Sequence, residues 1–217
     1  MPRSIVAIKY FTLTELLVVA SVILILISML MPALNRFNQH SQDVVCKNRL
    51  RTIYTTILVY TEDYDHRLPG PAWYGQKPNI LTSHVKYYNY LPEFLRDYFP
   101  EPKISKEGIL FNPTFICPSN EEIETDMNII SRVNYRSNYI KDFGIPFGRK
   151  ANNQMPKRIT ELPTTHGYLL QDADFDNYPY FKNHLPQLPV HPNLTRNTLF
   201  ADGKVRSMDM TFRTIDP

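Results

Sequence analysis

The chain has 217 residues and a net charge of +3, with 24 Lys and Arg against 21 Asp and Glu. That length holds one domain of ordinary size plus an anchor. The charge is nearly balanced and no Lys/Arg-dense tail is present, so no nucleic-acid partner is expected.

Residues 1–10, "MPRSIVAIKY", form a short leader carrying Arg3 and Lys9. From Phe11 to Met31 the chain is almost wholly apolar, and residues 16–31 carry no charge. About 20 helical residues cross a hydrocarbon core of roughly 30 Å. The segment therefore reads as a membrane-spanning helix, with the basic leader favouring a cytoplasmic N-terminus. No small-residue cleavage site follows the apolar run, so a conventional secretory signal is not expected. Glu15 is costly in hydrocarbon unless water or a basic partner reaches it. The residues alone leave both readings open.

Pro32 marks a local perturbation, because a proline inside a helix loses one hydrogen bond and crowds the preceding turn. Residues 32–62 continue the helical pattern. Leu34, Phe37, Val44, Val45, Ile53, Ile57 and Tyr60 suggest one apolar face. A helix from about 11 to 62 would be roughly 75 Å long. "DYDHRLPGPAWYGQ" ends it, and residues 63–217 form the globular part. All but Pro2 and Pro32 of the 18 prolines lie there, which implies turn-rich connections.

Within that part, "SHVKYYNYLPEFLRDYF" reads as a short helix or aromatic loop. Its Tyr87, Tyr88, Tyr90, Phe94, Leu95 and Tyr98 are expected in the core. "EGILFNPTFICPSN" reads as an extended segment entering a turn. "RVNYRSNYIKDFG" and "HGYLLQDAD" read as strands. "NTLFADGKVRSMDM" reads as a hairpin turning on Asp202-Gly203 as a two-residue loop. The expected fold is α+β, with the later half of the long helix laid on a small antiparallel sheet.

Few chemical sites stand out. Cys46 and Cys117 are too few for a disulfide scaffold or an all-cysteine zinc site. They are either paired, which would tie the helix to the domain, or two separate thiols. Asp172, Asp174 and Asp176 alternate in a way that suits oxygen ligation of calcium. The full calcium-loop pattern is absent, with Asn177 and Asn183 at its glycine and glutamate positions, so a solvated loop is the simpler reading. His40, His66, His84, His166, His184 and His191 form no metal motif, and no nucleophile–base arrangement appears. No enzymatic activity and no cofactor is expected. Asn193-Leu194-Thr195 matches a glycosylation acceptor, a pattern common by chance.

"FTLTELLVVASVILILISMLMP" resembles the N-terminal segment of type IV prepilins and type II secretion pseudopilins. The resemblance implies cleavage between Tyr10 and Phe11 by a prepilin peptidase and N-methylation of Phe11. It also implies an assembly role for Glu15 and a helix kink at Pro32. Tyr10 stands where that family usually has glycine. Cys117-Pro118-Ser119 and "HPNLTRNTLFADG" resemble elements of a large bacterial subfamily of pilin-like proteins. That subfamily carries a histidine about nine residues before Asp-Gly; here ten residues separate His191 from Asp202-Gly203. The implied partners are other pilin-like subunits, the peptidase, the inner membrane and a secretion or pilus assembly machinery. The implied location is the inner membrane with the globular part periplasmic, or a cell-surface filament. The alternative is a single-pass anchored binding module that is neither processed nor polymerised.

Overall fold

Helix α1, Leu13–Asp63, dominates the computed structural model, which describes residues 12–80, 89–106, 108–120, 133–137, 144–149, 153–163, 167–174, 176 and 185–209. Tyr10, Phe11, Tyr87, Tyr88, His84, His166, His184, Asn177 and Asn183 lie outside the described residues. The chain divides into two compact units, Met1–Gln39 and His40–Pro217.

The described part of the first unit is the opening of α1. Its apolar side chains face outward, with Leu13 80% and Met29 70% exposed. This stretch is long and apolar enough to cross a membrane. Its two serines bond back to their own helix, Ser21 to the Val18 carbonyl and Ser28 to that of Ile25. Neither hydroxyl then needs water. Pro32 lies inside α1 and does not end it.

The second unit is built on the rest of α1. Asp43, Cys46, Leu50, Ile53, Ile57 and Tyr60 are buried. Their alternating three- and four-residue spacing makes one narrow stripe. This differs from the apolar face expected from sequence. Leu34, Phe37, Val44 and Val45 are exposed, and an aspartate and a cysteine occupy the stripe instead. The physical reason is geometric: Val44 and Val45 sit between two consecutive stripe positions, and one helical face cannot hold all four. At its end, Asp65 and His66 adopt left-handed backbone (φ 53° and 58°) and the His66 N–H bonds the Thr61 carbonyl. The chain thus leaves the helix before Pro69.

The stripe packs in a core with a five-stranded antiparallel sheet. The strands are β1 (Gly75–Gln76), β4 (Tyr135–Arg136), β5 (Tyr168–Asp172), β6 (Arg196–Phe200) and β7 (Val205–Met208), in that spatial order. β2 (Lys103–Ile104) and β3 (Leu110–Phe111) pair separately. All five residues of β5 and of β6 are buried, whereas β7 forms a partly exposed edge. Core residues include Leu50, Ile53, Ile57, Leu91, Leu95, Phe115, Tyr135, Leu169, Leu170 and Leu199. The aromatic segment contributes a short helix α2 (Leu91–Phe94), with Tyr90 and Leu95 buried and Phe94 and Tyr98 packed at the core's edge. The result is a long N-terminal helix whose later part packs on a small antiparallel sheet, a pilin-like α+β architecture.

The C-terminal hairpin differs in one detail from its expected form. Leu199 pairs with Val205, the Gly203 N–H bonds the Phe200 carbonyl, and the Phe200 N–H bonds the Lys204 carbonyl. The loop is therefore Ala201-Asp202-Gly203, three residues rather than two. Gly203 takes φ 78°, as the left-handed position closing such a loop requires.

Candidate functional site

Among the described residues, chemistry gathers at the start of α1 and in a buried polar cluster of the second unit. At the helix start, Thr12 precedes the first helical residue and Glu15 is the third residue within it. Glu15 Oε2 accepts from the Thr12 N–H at 2.9 Å and from the Thr12 hydroxyl at 2.7 Å. The Glu15 N–H in turn reaches Thr12 Oγ1 at 3.3 Å. This is a reciprocal capping box, which satisfies donors that a helix N-terminus otherwise leaves bare. "TLTE" spells that motif, so its signal was present in the sequence and is distinct from an assembly role. Tyr10 and Phe11 lie outside the described residues.

The buried cluster centres on His191. The backbone places it just before a short helical turn, 192–194, that leads into β6. Its Nε2 lies 2.8 Å from Asp172 Oδ2 at the end of β5 and 3.5 Å from Cys117 Sγ. Its Nδ1 lies 3.3 Å from Asp43 Oδ1 on α1 and 3.4 Å from Ser119 Oγ. Burial opposes charge on the imidazole, but the Asp172 and Asp43 carboxylates outweigh it and hold the His191 pKa above its ordinary value. Burial likewise opposes charge on Asp43. Hydrogen bonds from Lys47 at 2.6 Å and Asn197 at 2.8 Å, with His191 beside it, nevertheless leave its pKa below the usual carboxylate value. The Asn197 N–H also donates to Asp172 Oδ2 at 2.7 Å.

Cys46 and Cys117 adjoin this cluster and are joined by a disulfide, with Cα atoms 5.3 Å apart. Tyr135, opposite Asp172 in the β4–β5 ladder, is fully buried, and burial with the Asp172 charge pushes its phenol far up.

The three aspartates expected as weak calcium ligands do not share one partner. Asp172 faces His191. Asp174 and Asp176 face Arg196, whose Nε and Nη2 reach Asp174 at 2.6 and 3.0 Å and whose Nη2 reaches Asp176 at 2.8 Å. A guanidinium thus supplies the positive charge at those two carboxylates.

His191 and Asp202-Gly203, adjacent elements of the C-terminal motif, do separate work. Asp202 accepts from the Lys204 N–H at 3.0 Å and stays within the turn. Gly203 lies against α1: a Cβ there would stand 2.4 Å from Tyr54 Cε1, and the Tyr54 hydroxyl bonds the Ala201 carbonyl.

Sequence reading missed Asp43, Lys47, Arg196 and Asn197, and met Ser119 only within the Cys117-Pro118-Ser119 resemblance. Asp43 had a signal: it shares a helical face with Cys46 and Leu50, so an acid was lodged in the core stripe. Asn197 and Arg196 had none beyond falling in a strand. No family model, curated protein or solved structure matches the chain.

Proposed function

We propose that the protein is a pilin-like structural subunit, anchored in the inner membrane by the first part of α1 and assembled through that helix into a type IV pilus or type II secretion-type filament. One observation carries this reading. The outward-facing apolar first part of α1 has a single carboxylate, Glu15, near its start. Such a surface needs lipid or like helices around it, and a buried carboxylate needs a cation. Prepilin-type processing after Tyr10 would create that cation as the amine of Phe11 on a neighbouring subunit. Paired charges cost far less in an apolar setting than one alone. The capping box then describes the unassembled subunit, in which Thr12 satisfies Glu15 until the neighbour's amine replaces it. The role is structural rather than catalytic.

The test uses the full-length chain in its own cells. Glu15→Leu should insert in the membrane yet disappear from the pelletable filament fraction. Thr12→Ala keeps the carboxylate and its bond from the residue-12 N–H, removes only the hydroxyl contacts, and should still assemble. Normal filament levels of Glu15→Leu would sink the assembly role.

A second reading, an anchored binding module that never polymerises, is favoured by Tyr10 and by the cap itself, which gives Glu15 a partner without any neighbour. Mass spectrometry of the native N-terminus separates the two. Methylated Phe11 supports assembly; an intact leader supports the anchor.

A further inference from the structure

Cys46, Cys117, Asp172 and His191 arrive from four separate segments: α1, the turn preceding residues 118–120, the end of β5 and the loop before β6. One ligand atom from each lies within 4.8 Å of every other. All four residues are buried, none more than 3% exposed. We propose that this quartet is a zinc site in the thiol form of the chain, alternative to the disulfide.

The donor set argues first. Two sulfurs, one imidazole nitrogen and one carboxylate oxygen suit zinc, and sulfur excludes calcium or magnesium as the natural occupant. Zinc bonds of about 2.3 Å to sulfur and about 2.0–2.2 Å to nitrogen or oxygen set tetrahedral ligand atoms roughly 3.3–3.8 Å apart. Cys117 Sγ already lies 3.5 Å from His191 Nε2. Asp172 Oδ2 lies 2.8 Å from the same nitrogen, a separation that opens when an ion replaces the hydrogen bond. The two sulfurs must part as well.

The outer contacts argue independently. His191 turns Nε2 to the sulfur and the carboxylate, and Nδ1 to the Asp43 carboxylate at 3.3 Å. A metal-bound histidine usually gives its second nitrogen to such a carboxylate, which fixes the ring and its tautomer. Asp43 is itself held by Lys47 and Asn197, and the Asn197 backbone N–H holds Asp172. Both non-sulfur ligands are therefore oriented by groups that do not depend on the disulfide.

The two forms interconvert with balanced chemistry. A dithiol reductant supplies two electrons and two protons, leaving thiols on Cys46 and Cys117 and becoming a disulfide itself. Zn²⁺ then binds both sulfurs as thiolates and releases two protons, plus the one shared by His191 and Asp172 where present. In the reverse direction a disulfide oxidant takes two electrons from the thiolates and two protons from water, becoming a dithiol, while the Cys46–Cys117 bond forms and Zn²⁺ leaves. The proposal does not rest on the membrane or filament role.

The experiment uses the full-length chain in detergent, reduced with a dithiol and titrated with Co²⁺ as a spectroscopic stand-in. The expected result is one cobalt per chain, with thiolate-to-cobalt charge transfer and tetrahedral ligand-field bands, all displaced by Zn²⁺. The oxidised chain should show none of these. His191→Ala and Asp172→Asn should each weaken binding at least tenfold. Asp43→Asn touches no ion and should weaken it roughly ten- to a hundredfold with the tetrahedral bands retained. The proposal is overturned by a reduced, folded chain that takes up no cobalt, or by octahedral binding only. It is equally overturned by affinity unchanged in His191→Ala and Asp172→Asn, or by a reduced chain that unfolds and is not restored by Zn²⁺.

Discussion

Among the described residues Arg196 heads the fully buried side chains by size, with 1% of its surface exposed, and its charge is tolerated because Asp174 and Asp176 surround it. Breaking a buried pair by removing one partner typically costs about 3–5 kcal/mol. Arg196→Leu should lose that much in urea unfolding, and an unchanged midpoint would show that the pair is dispensable. Lysine cannot reproduce the two-nitrogen fork, so Arg196→Lys should fall between leucine and wild type. Gly203 is constrained twice, by φ 78° and by the Tyr54 ring 2.4 Å from where a Cβ would stand. Gly203→Ala should cost about 1–3 kcal/mol, and combining it with Tyr54→Ala should remove the crowding part of that cost. Tyr98 donates to the Asp63 carboxylate at 2.7 Å, and that bond raises its pKa from 10.0 to about 12. The folded state prefers the neutral phenol. Its contribution is thus fully present below the unfolded pKa and is lost as pH rises through the window from about 10 to about 12. Ultraviolet titration should show Tyr98 ionising late, and Asp63→Asn should move that one ionisation toward the ordinary value while leaving the buried Tyr135 as it was.

At the scale of elements, α1 shows what one helix can be asked to do. Its first part turns apolar residues outward and its later part turns a narrow stripe inward, so the same kind of residue means opposite things along one element. Periodicity was enough to expect the long helix, its end near residue 62 and the stripe positions Ile53, Ile57 and Tyr60. It misassigned Val44 and Val45, because hydrophobicity cannot say which of two overlapping faces meets a sheet. Leu50→Ala should cost about 2–5 kcal/mol, the usual range for an emptied core site. Val44→Ala should stay within about 0.5 kcal/mol in the same unfolding assay. Equal losses at both sites would reject the stripe. The strands β4, β5 and β6 and the hairpin were legible as alternation and as Asp-Gly. The loop length was not, because Asp-Gly fits both a two-residue turn and a three-residue turn whose glycine closes it.

At the scale of the whole second unit, the centre of the cluster is made only by folding. Asp43, Cys117, Asp172 and His191 come from distant stretches, and nothing in any one of them announces the others. Cysteine counting left pairing and separate thiols equally open, since the choice turns on a spatial approach that spacing does not reveal. The Cys46–Cys117 bond spans a sequence separation of 71 residues and links α1 to the segment before β4. Closing a loop of that size removes chain entropy from the unfolded state worth about 4 kcal/mol in the loop-entropy account. The closed loop contains α2, β1, β2 and β3, so the bond restrains a stretch whose strands are two residues each. Cys46→Ser with Cys117→Ser should therefore lower stability by about 2–4 kcal/mol in urea unfolding of the oxidised chain in detergent. Wild type in dithiol with a metal chelator should fall by a similar amount. Loss confined to the reduced chain, with the double serine variant as stable as oxidised wild type, would show that the thiols themselves disturb the core and that the crosslink adds nothing.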